Sequence, residues 1–191
     1  AVVIGEDLGV FEPVGQDTLC ERGILGTSIL WFEHGPYAPI APEEYRALCL
    51  TAVTTHDLPP TLGYLAGDHI DLRSQLGLLE TGEEAERARD VRDRDAIVNL
   101  AVERGLLAAG AELVDRTTVE ALHRLIARSP SVLLSVALVD AVGERRIQNQ
   151  PGTTGDRYPN WRIPLADDTG TAVLVEDLAD KEQARHMLRH H

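Results

Sequence analysis

Apolar and polar positions change rhythm close to residue 60. Before it, short β-branched runs alternate with polar, glycine- or proline-rich stretches. Residues 1–4 are a continuous apolar run ending at Gly5, the pattern of a strand buried on both faces in a parallel sheet. Residues 13–22 have helical spacing that turns Val14, Leu19 and Cys20 inward, with Gly23 as the stop. A second strand is predicted over 28–32. Pro36, Pro39 and Pro42 then mark a loop, and Pro42 opens a short helix over 43–48. A third strand follows over 50–54. This β-α-β-α-β order predicts a parallel α/β fold, with the carboxyl ends of the strands on one face.

After Pro59 and Pro60 the period lengthens to that of helices: 71–79, then a long one over 83–109 with Ala88, Val91, Ile97, Leu100, Ala101 and Leu107 at helical spacing, then 118–128 with Val119, Leu122, Leu125 and Ile126 on one face. The most apolar run, 132–139, is read as a fourth strand. Residues 148–162 form a Gly/Pro/Asn loop carrying Trp161, 173–175 are extended, and a closing helix over 177–189 takes Asp177 as its N-cap. Four strands that each feed a polar loop fit half of a (β/α)8 barrel, a fold whose sites are built from loops at the strand carboxyl ends. The whole of 1–191 is read as one unit: strands and chemistry-bearing loops over 1–64, a helical segment over 65–130, and the last strand, loop and helix over 131–191.

Composition narrows the function classes. With 43% hydrophobic and 26% charged residues, the 191-residue chain has the balance of a folded domain with a real core. Its formal charge of -13 repels phosphate backbones, so nucleic acid is not an expected partner. The arginines from Arg87 to Arg94 alternate with Glu86, Asp90, Asp93 and Asp95 and are read as a solvated helix face. No run is long and apolar enough to span a membrane. Cys20 and Cys49 lie among apolar residues without a CxxC partner; they are read as buried free thiols, which favours a cytoplasmic setting. His34, His56, His69 and His123 lack metal-ligand spacing, and His186, His190 and His191 are assigned to a tail. No metal or cofactor is expected. A chain that opens on a buried-type strand without an initiator Met predicts a start inside a domain.

Four loops carry candidate chemistry. Gly5-Glu6-Asp7-Leu8-Gly9 follows the first strand, and a carboxylate there is placed for general acid/base work; position alone rather favours a helix-capping or turn carboxylate. Thr54-Thr55-His56-Asp57-Leu58-Pro59-Pro60 follows the third strand; its His and Asp suit sugar hydroxyls, though an N-capping Asp fits too. Asn149-Gln150-Pro151-Gly152-Thr153, with Tyr158-Pro159-Asn160-Trp161-Arg162, combines amides with a flat ring, groups that match hydroxyls and the apolar face of a pyranose; a surface turn with one packed Trp is the alternative. Trp31-Phe32-Glu33 ends the second strand. Two acidic loops and one amide/aromatic loop on one barrel face point to carbohydrate chemistry with paired carboxylates.

These motifs, with Leu30-Trp31-Phe32-Glu33, Gly63-Tyr64 and Arg73-x-x-Leu76-Gly77-Leu78, come in the order found in the 4-α-glucanotransferases of glycoside hydrolase family 77, which the chain resembles from residue 5 to residue 162. The Asn-x-Pro-Gly-Thr…Asn-Trp-Arg signature is the most specific match. The resemblance implies a retaining transfer of α-1,4-glucan segments between maltooligosaccharides, on strands five to eight of a TIM barrel. It implies Glu6 as acid/base and Asp57 as the aspartate that holds sugar hydroxyls and stabilises the oxocarbenium-like transition state. His56, Asp7, Phe32, Asn149, Pro151 and Gly152 are implied as substrate-binding.

The family's nucleophilic aspartate belongs to an Arg-x-Asp-His-like motif at the end of the fourth strand. This sequence has no match to it; Asp68-His69 imitates a part but follows Gly67 in a loop beyond the third predicted strand. The resemblance therefore implies a C-terminal piece, inactive alone, whose partner is the missing N-terminal half. It also implies exposed barrel edges prone to self-association. A non-catalytic carbohydrate-binding or regulatory module derived from the fold, or a purely structural fragment, are the competing readings.

Overall fold

The structure, a computed structural model, describes residues 1–8 and 13–189. Its centre is a three-stranded parallel sheet in the order β1 (Gly26–Ile29), β2 (Cys49–Ala52), β3 (Leu133–Ser135). Gly26 pairs with Cys49 and Leu50 with Leu133, so all three strands point the same way. The predicted first strand reduces to a parallel bridge between Ile4 and Leu25. Leu25 N–H donates to Val3 O (3.0 Å) and Gly5 N–H to Leu25 O (2.7 Å), which sets this segment beside β1 with the same direction.

The other elements are α1 (Pro13–Glu21), α2 (Thr61–Ala66), α3 (Asp68–Leu76), α4 (Glu83–Glu103), α5 (Arg116–Ile126), α6 (Leu138–Val142) and α7 (Glu182–Arg189). The amphipathic face of α5 is as the spacing predicts: Val119, Leu122, Leu125 and Ile126 are buried, and the Asp115 carboxylate caps the helix by accepting from Thr117 N–H at 2.7 Å. They join Ile29, Leu30, Val53, Leu65, Ile97 and Ala101 in one core. Gly63 of α2 is required by packing, because a Cβ there would stand 2.4 Å from the Arg145 carbonyl oxygen.

Several expectations are corrected. The second strand ends at Ile29, and Leu30–Phe32 is a 3-10 turn whose Leu30 and Trp31 are buried by packing rather than by pairing. The helix expected over 43–48 is only the 3-10 turn Pro42–Glu44. Tyr45 is buried, and Arg46 reaches across to Asp7 as the chain extends toward β2. The run 132–139 splits into β3 and the start of α6, whose Ala141 and Val142 need apolar character for helix packing. The short helix read over 71–79 begins earlier, at Asp68, behind α2 and Gly67, whose φ of 80° breaks the two apart. The long helix stops at Glu103. Asp177 lies inside a 3-10 turn, Val175–Asp180, and does not cap α7. On α1, Val14 is 69% exposed and Cys20 is exposed, because no described element covers that face; Cys49 alone of the two thiols is buried. His186 is no loose tail residue, since α7 carries it to within 3.1 Å of Glu120; His190 and His191 lie outside the described residues.

The face expected to be solvated is so only in part: Arg89, Arg92 and Asp95 are exposed, while other charges of this stretch are tied to neighbouring helices. Asp90 is 2.9 Å from the buried His69, Arg73 pairs with Glu86 at 2.9 Å, Arg87 reaches Asp71 at 2.7 Å, and Arg94 donates to Leu65 O at 3.0 Å. The amino-terminal half of α4 is tied to α2 and α3 by charge, and its carboxyl-terminal half by Ile97 and Ala101 in the core. Among the described residues no helix is long and apolar enough to cross a membrane, and no cluster of three or more metal-ligating side chains occurs.

Candidate active site at the strand ends

The carboxyl ends of the parallel segments open on a cleft of about 480 Å³. Ile29 and Ala52 form its floor, and Glu6, His56 and Gln148 belong to its wall. Glu6 follows the bridge at Ile4, His56 follows β2, and Leu138 lies just beyond β3, so loops from successive co-directional segments meet there.

Glu6 and Asp7 are neighbours with different surroundings. Glu6 is exposed and lines the cleft. Asp7 is buried away from it. One oxygen accepts from Thr27 N–H at 2.7 Å and the other from Arg46 Nη1 at 2.6 Å. Burial opposes ionisation of Asp7, but the Arg46 and Thr27 hydrogen bonds outweigh it and hold the carboxyl below its ordinary range. Gly26 makes room for this pair, since a Cβ there would meet Arg46 Nη1 at 2.8 Å.

The loop after β2 is fixed from within and from outside. Thr54 Oγ1 donates to Pro59 O at 2.8 Å, and Leu58 N–H to Thr55 O at 3.3 Å, which closes a turn around His56 and Asp57. Asn149 Nδ2 donates to Asp57 Oδ1 at 2.6 Å, and His56 Nε2 stands 3.5 Å from the same oxygen. The side chains of His56 and Asp57 are 57% and 42% exposed, so each keeps a face for a ligand. Immediately after the loop's second proline, in effect at its anchor, Thr61 donates to the buried Asp140 through N–H (2.7 Å) and Oγ1 (2.6 Å), and His123 Nε2 lies 3.0 Å from the same carboxylate. This anchor escaped the sequence reading. Its signal was a lone carboxylate inside the apolar stretch Leu138-Val139-Asp140-Ala141-Val142, which folding tolerates only with buried partners.

The remaining predicted residues are placed elsewhere. Phe32 is half-exposed and borders a second hollow with Trp31, Glu33 and Tyr45, outside the cleft's wall. Ser28 Oγ donates to Glu33 there, and burial pushes the Tyr45 phenol well above its usual range. Pro151 and Gly152 form an exposed turn, Gly152 with φ of 80°, and the structure brings neither to the cleft wall. Asp68 is held by Arg145 (2.7 Å) and His69 by Asp90, so that motif serves packing.

Residues 1–169 match the 4-alpha-glucanotransferase family. The chain belongs to that family. A 4-alpha-glucanotransferase of Mycobacterium tuberculosis is 54% identical over 189 residues, covering 96% of this chain and 26% of its own length, and one of Mycobacterium bovis matches equally. The chain thus spans about a quarter of the length of these curated relatives. The crystal structure of amylomaltase from Corynebacterium glutamicum superimposes with a TM-score of 0.91 at 52% identity, over 100% of this chain and 28% of that one. Amylomaltase from Streptococcus agalactiae in complex with acarbose aligns with a TM-score of 0.56 at 18% identity, over 98% of this chain and 30% of that one; this likeness speaks for the fold alone.

Proposed function

We propose that these residues supply the acid/base half of the active site of a 4-α-glucanotransferase, which moves α-1,4-glucan segments between maltooligosaccharides with retention at the anomeric carbon. The observation that carries the reading is the shared cleft: Glu6 and His56 wall one space, and Asp57 beside His56 is oriented by Asn149. Glu6 is the general acid that protonates the leaving glycosidic oxygen, then the base that activates the acceptor hydroxyl. Asp57 and His56 hold hydroxyls of the sugar at the point of cleavage, and Asp57 offers negative charge to the oxocarbenium-like transition state. Asp7 acts here by positioning, since both its oxygens are committed to Thr27 and Arg46. Phe32, Pro151 and Gly152 are assigned to more distant parts of the glucan.

The consecutive, co-directional neighbours Val3–Gly5, β1, β2 and β3 fit strands five to eight of a (β/α)8 barrel. Retention needs a second carboxylate roughly 5–5.5 Å from the first. We assign it to the part of the polypeptide outside these residues, which in the relatives is about three quarters of the length. The same part is the occupant proposed for the apolar side of the sheet, where Val3, Ile4, Leu133 and Leu138 are exposed beside unpaired edges. Without it, these surfaces drive self-association. The setting is the cytoplasm, in keeping with two unpaired thiols.

Glucose release from maltotriose tests the reading. The full-length protein is expected to release it, and residues 1–191 alone are not. A rate from the isolated chain close to that of the full-length protein would contradict the assignment of the second carboxylate.

A further inference from the structure

We infer that Trp161 is a stacking platform for one glucosyl ring of the glucan at the mouth of the cleft, beside His56; this rests on the glucan reading above. The chain's two tryptophans differ sharply. Trp31 is buried and stacked on Tyr64, with ring centroids 4.1 Å apart. Trp161 is 63% exposed.

Its backbone is also held against its preference. Trp161 has a φ of 62°, the only positive φ on a non-glycine among the described residues. That conformation is unfavourable for an L-residue, whose Cβ crowds the following carbonyl oxygen, and glycine would adopt it freely. The surrounding loop enforces it. Trp161 N–H donates to Gln148 O at 2.9 Å, Arg162 N–H to Pro159 O at 3.0 Å, and Tyr158 OH to Ile147 O at 2.7 Å. The Asn160 side chain accepts from Gln150 N–H at 2.8 Å and donates to Thr153 Oγ1 at 2.9 Å. None of these bonds uses the indole, so the loop's own structure gives no reason for a large ring at this position.

The ring's location gives one. Its centroid lies 5.2 Å from that of His56, with the planes tilted by 43°. His56 lines the cleft, and so does Gln148, whose carbonyl holds Trp161 in place. A pyranose presents C–H groups on its faces and hydroxyls around its rim. The indole face suits the former, while His56, Asp57 and Asn149 suit the latter. The carboxylate of Asp57 next to the platform disfavours an anionic ligand and leaves a neutral sugar.

The test is steady-state kinetics on maltotriose with the full-length protein, using Trp161→Gly and Trp161→Phe. Glycine fits the positive φ, so Trp161→Gly should keep its melting temperature while KM rises about tenfold and kcat changes less. Trp161→Phe, which restores a ring, should recover most of the loss. A KM near the parent value in Trp161→Gly overturns the inference, as does a lowered melting temperature with a KM defect that Trp161→Phe does not relieve. If the unsubstituted full-length protein releases no glucose, the glucan reading itself fails, and this inference with it.

Discussion

The α3–α4 layer and the rim of the cleft are both rich in charge, yet they use it in opposite ways. In the layer, ionic side chains meet partners within the protein: His69 with Asp90, Arg73 with Glu86, Arg87 with Asp71 and Glu83. The exposed pairs of Arg87 contribute about 0–1 kcal/mol each, whereas His69 and Asp90 meet almost out of water; together they set how the helices lie on one another. At the rim, charge is divided by depth. Asp7, Asp140 and Glu144 are buried and saturated, whereas Glu6 and His56 line the cleft and Asp57, beside His56, is partly exposed. A buried carboxylate with a full set of donors is a fastening; a partly open one on a fastened loop can do chemistry.

The sharpest way to break this contrast is to remove a fastening. Asp140→Ala takes away the acceptor of Thr61 N–H, Thr61 Oγ1 and His123 Nε2 in a dry site. A loss of about 3 kcal/mol is expected, read as a lower urea midpoint with unchanged slope. A shift no larger than that of a surface substitution would show that the Asp140 anchor is dispensable.

A smaller effect comes from acid. Burial raises and the Arg146 hydrogen bond lowers the Glu144 carboxyl, with Arg146 and Ala166 amides adding to the lowering, so its folded value lies below the ordinary one, as for Asp7. A depressed folded pKa gives stability that is fully present above the unfolded value of about 4 and is lost as pH falls through the folded value. Denaturant midpoints should therefore hold near neutrality and drop below about pH 4, and Glu144→Gln should flatten that drop. A midpoint independent of pH from 6 to about 2 would contradict the assignment.

The sequence was most legible where one force acts alone. The face of α5 follows from apolar spacing, and the parallel direction of β1, β2 and β3 follows from short β-branched runs feeding polar loops. The loops bearing Glu6, His56, Asp57 and Asn149 could be picked out because glycines and prolines bracket them. Apolar runs misled where two elements share one stretch, as with β3 and α6 within 132–139, or where a turn is buried, as with Leu30 and Trp31. Partners far apart in sequence were beyond reach. Nothing local says that Asp7 will face Arg46 while Glu6 faces the cleft, that Asp90 will meet His69, or that Trp161 will be held at positive φ beside His56.

The neighbouring carboxylates Glu6 and Asp7 give the most direct test. In the full-length protein, Glu6→Gln should lower glucose release from maltotriose by about 10²- to 10⁴-fold with the melting temperature unchanged, because the role proposed for Glu6 is proton transfer and its side chain is exposed. Asp7→Asn should do the reverse in kind, lowering the melting temperature while the folded fraction keeps turning over. Near-normal turnover in Glu6→Gln would contradict the account.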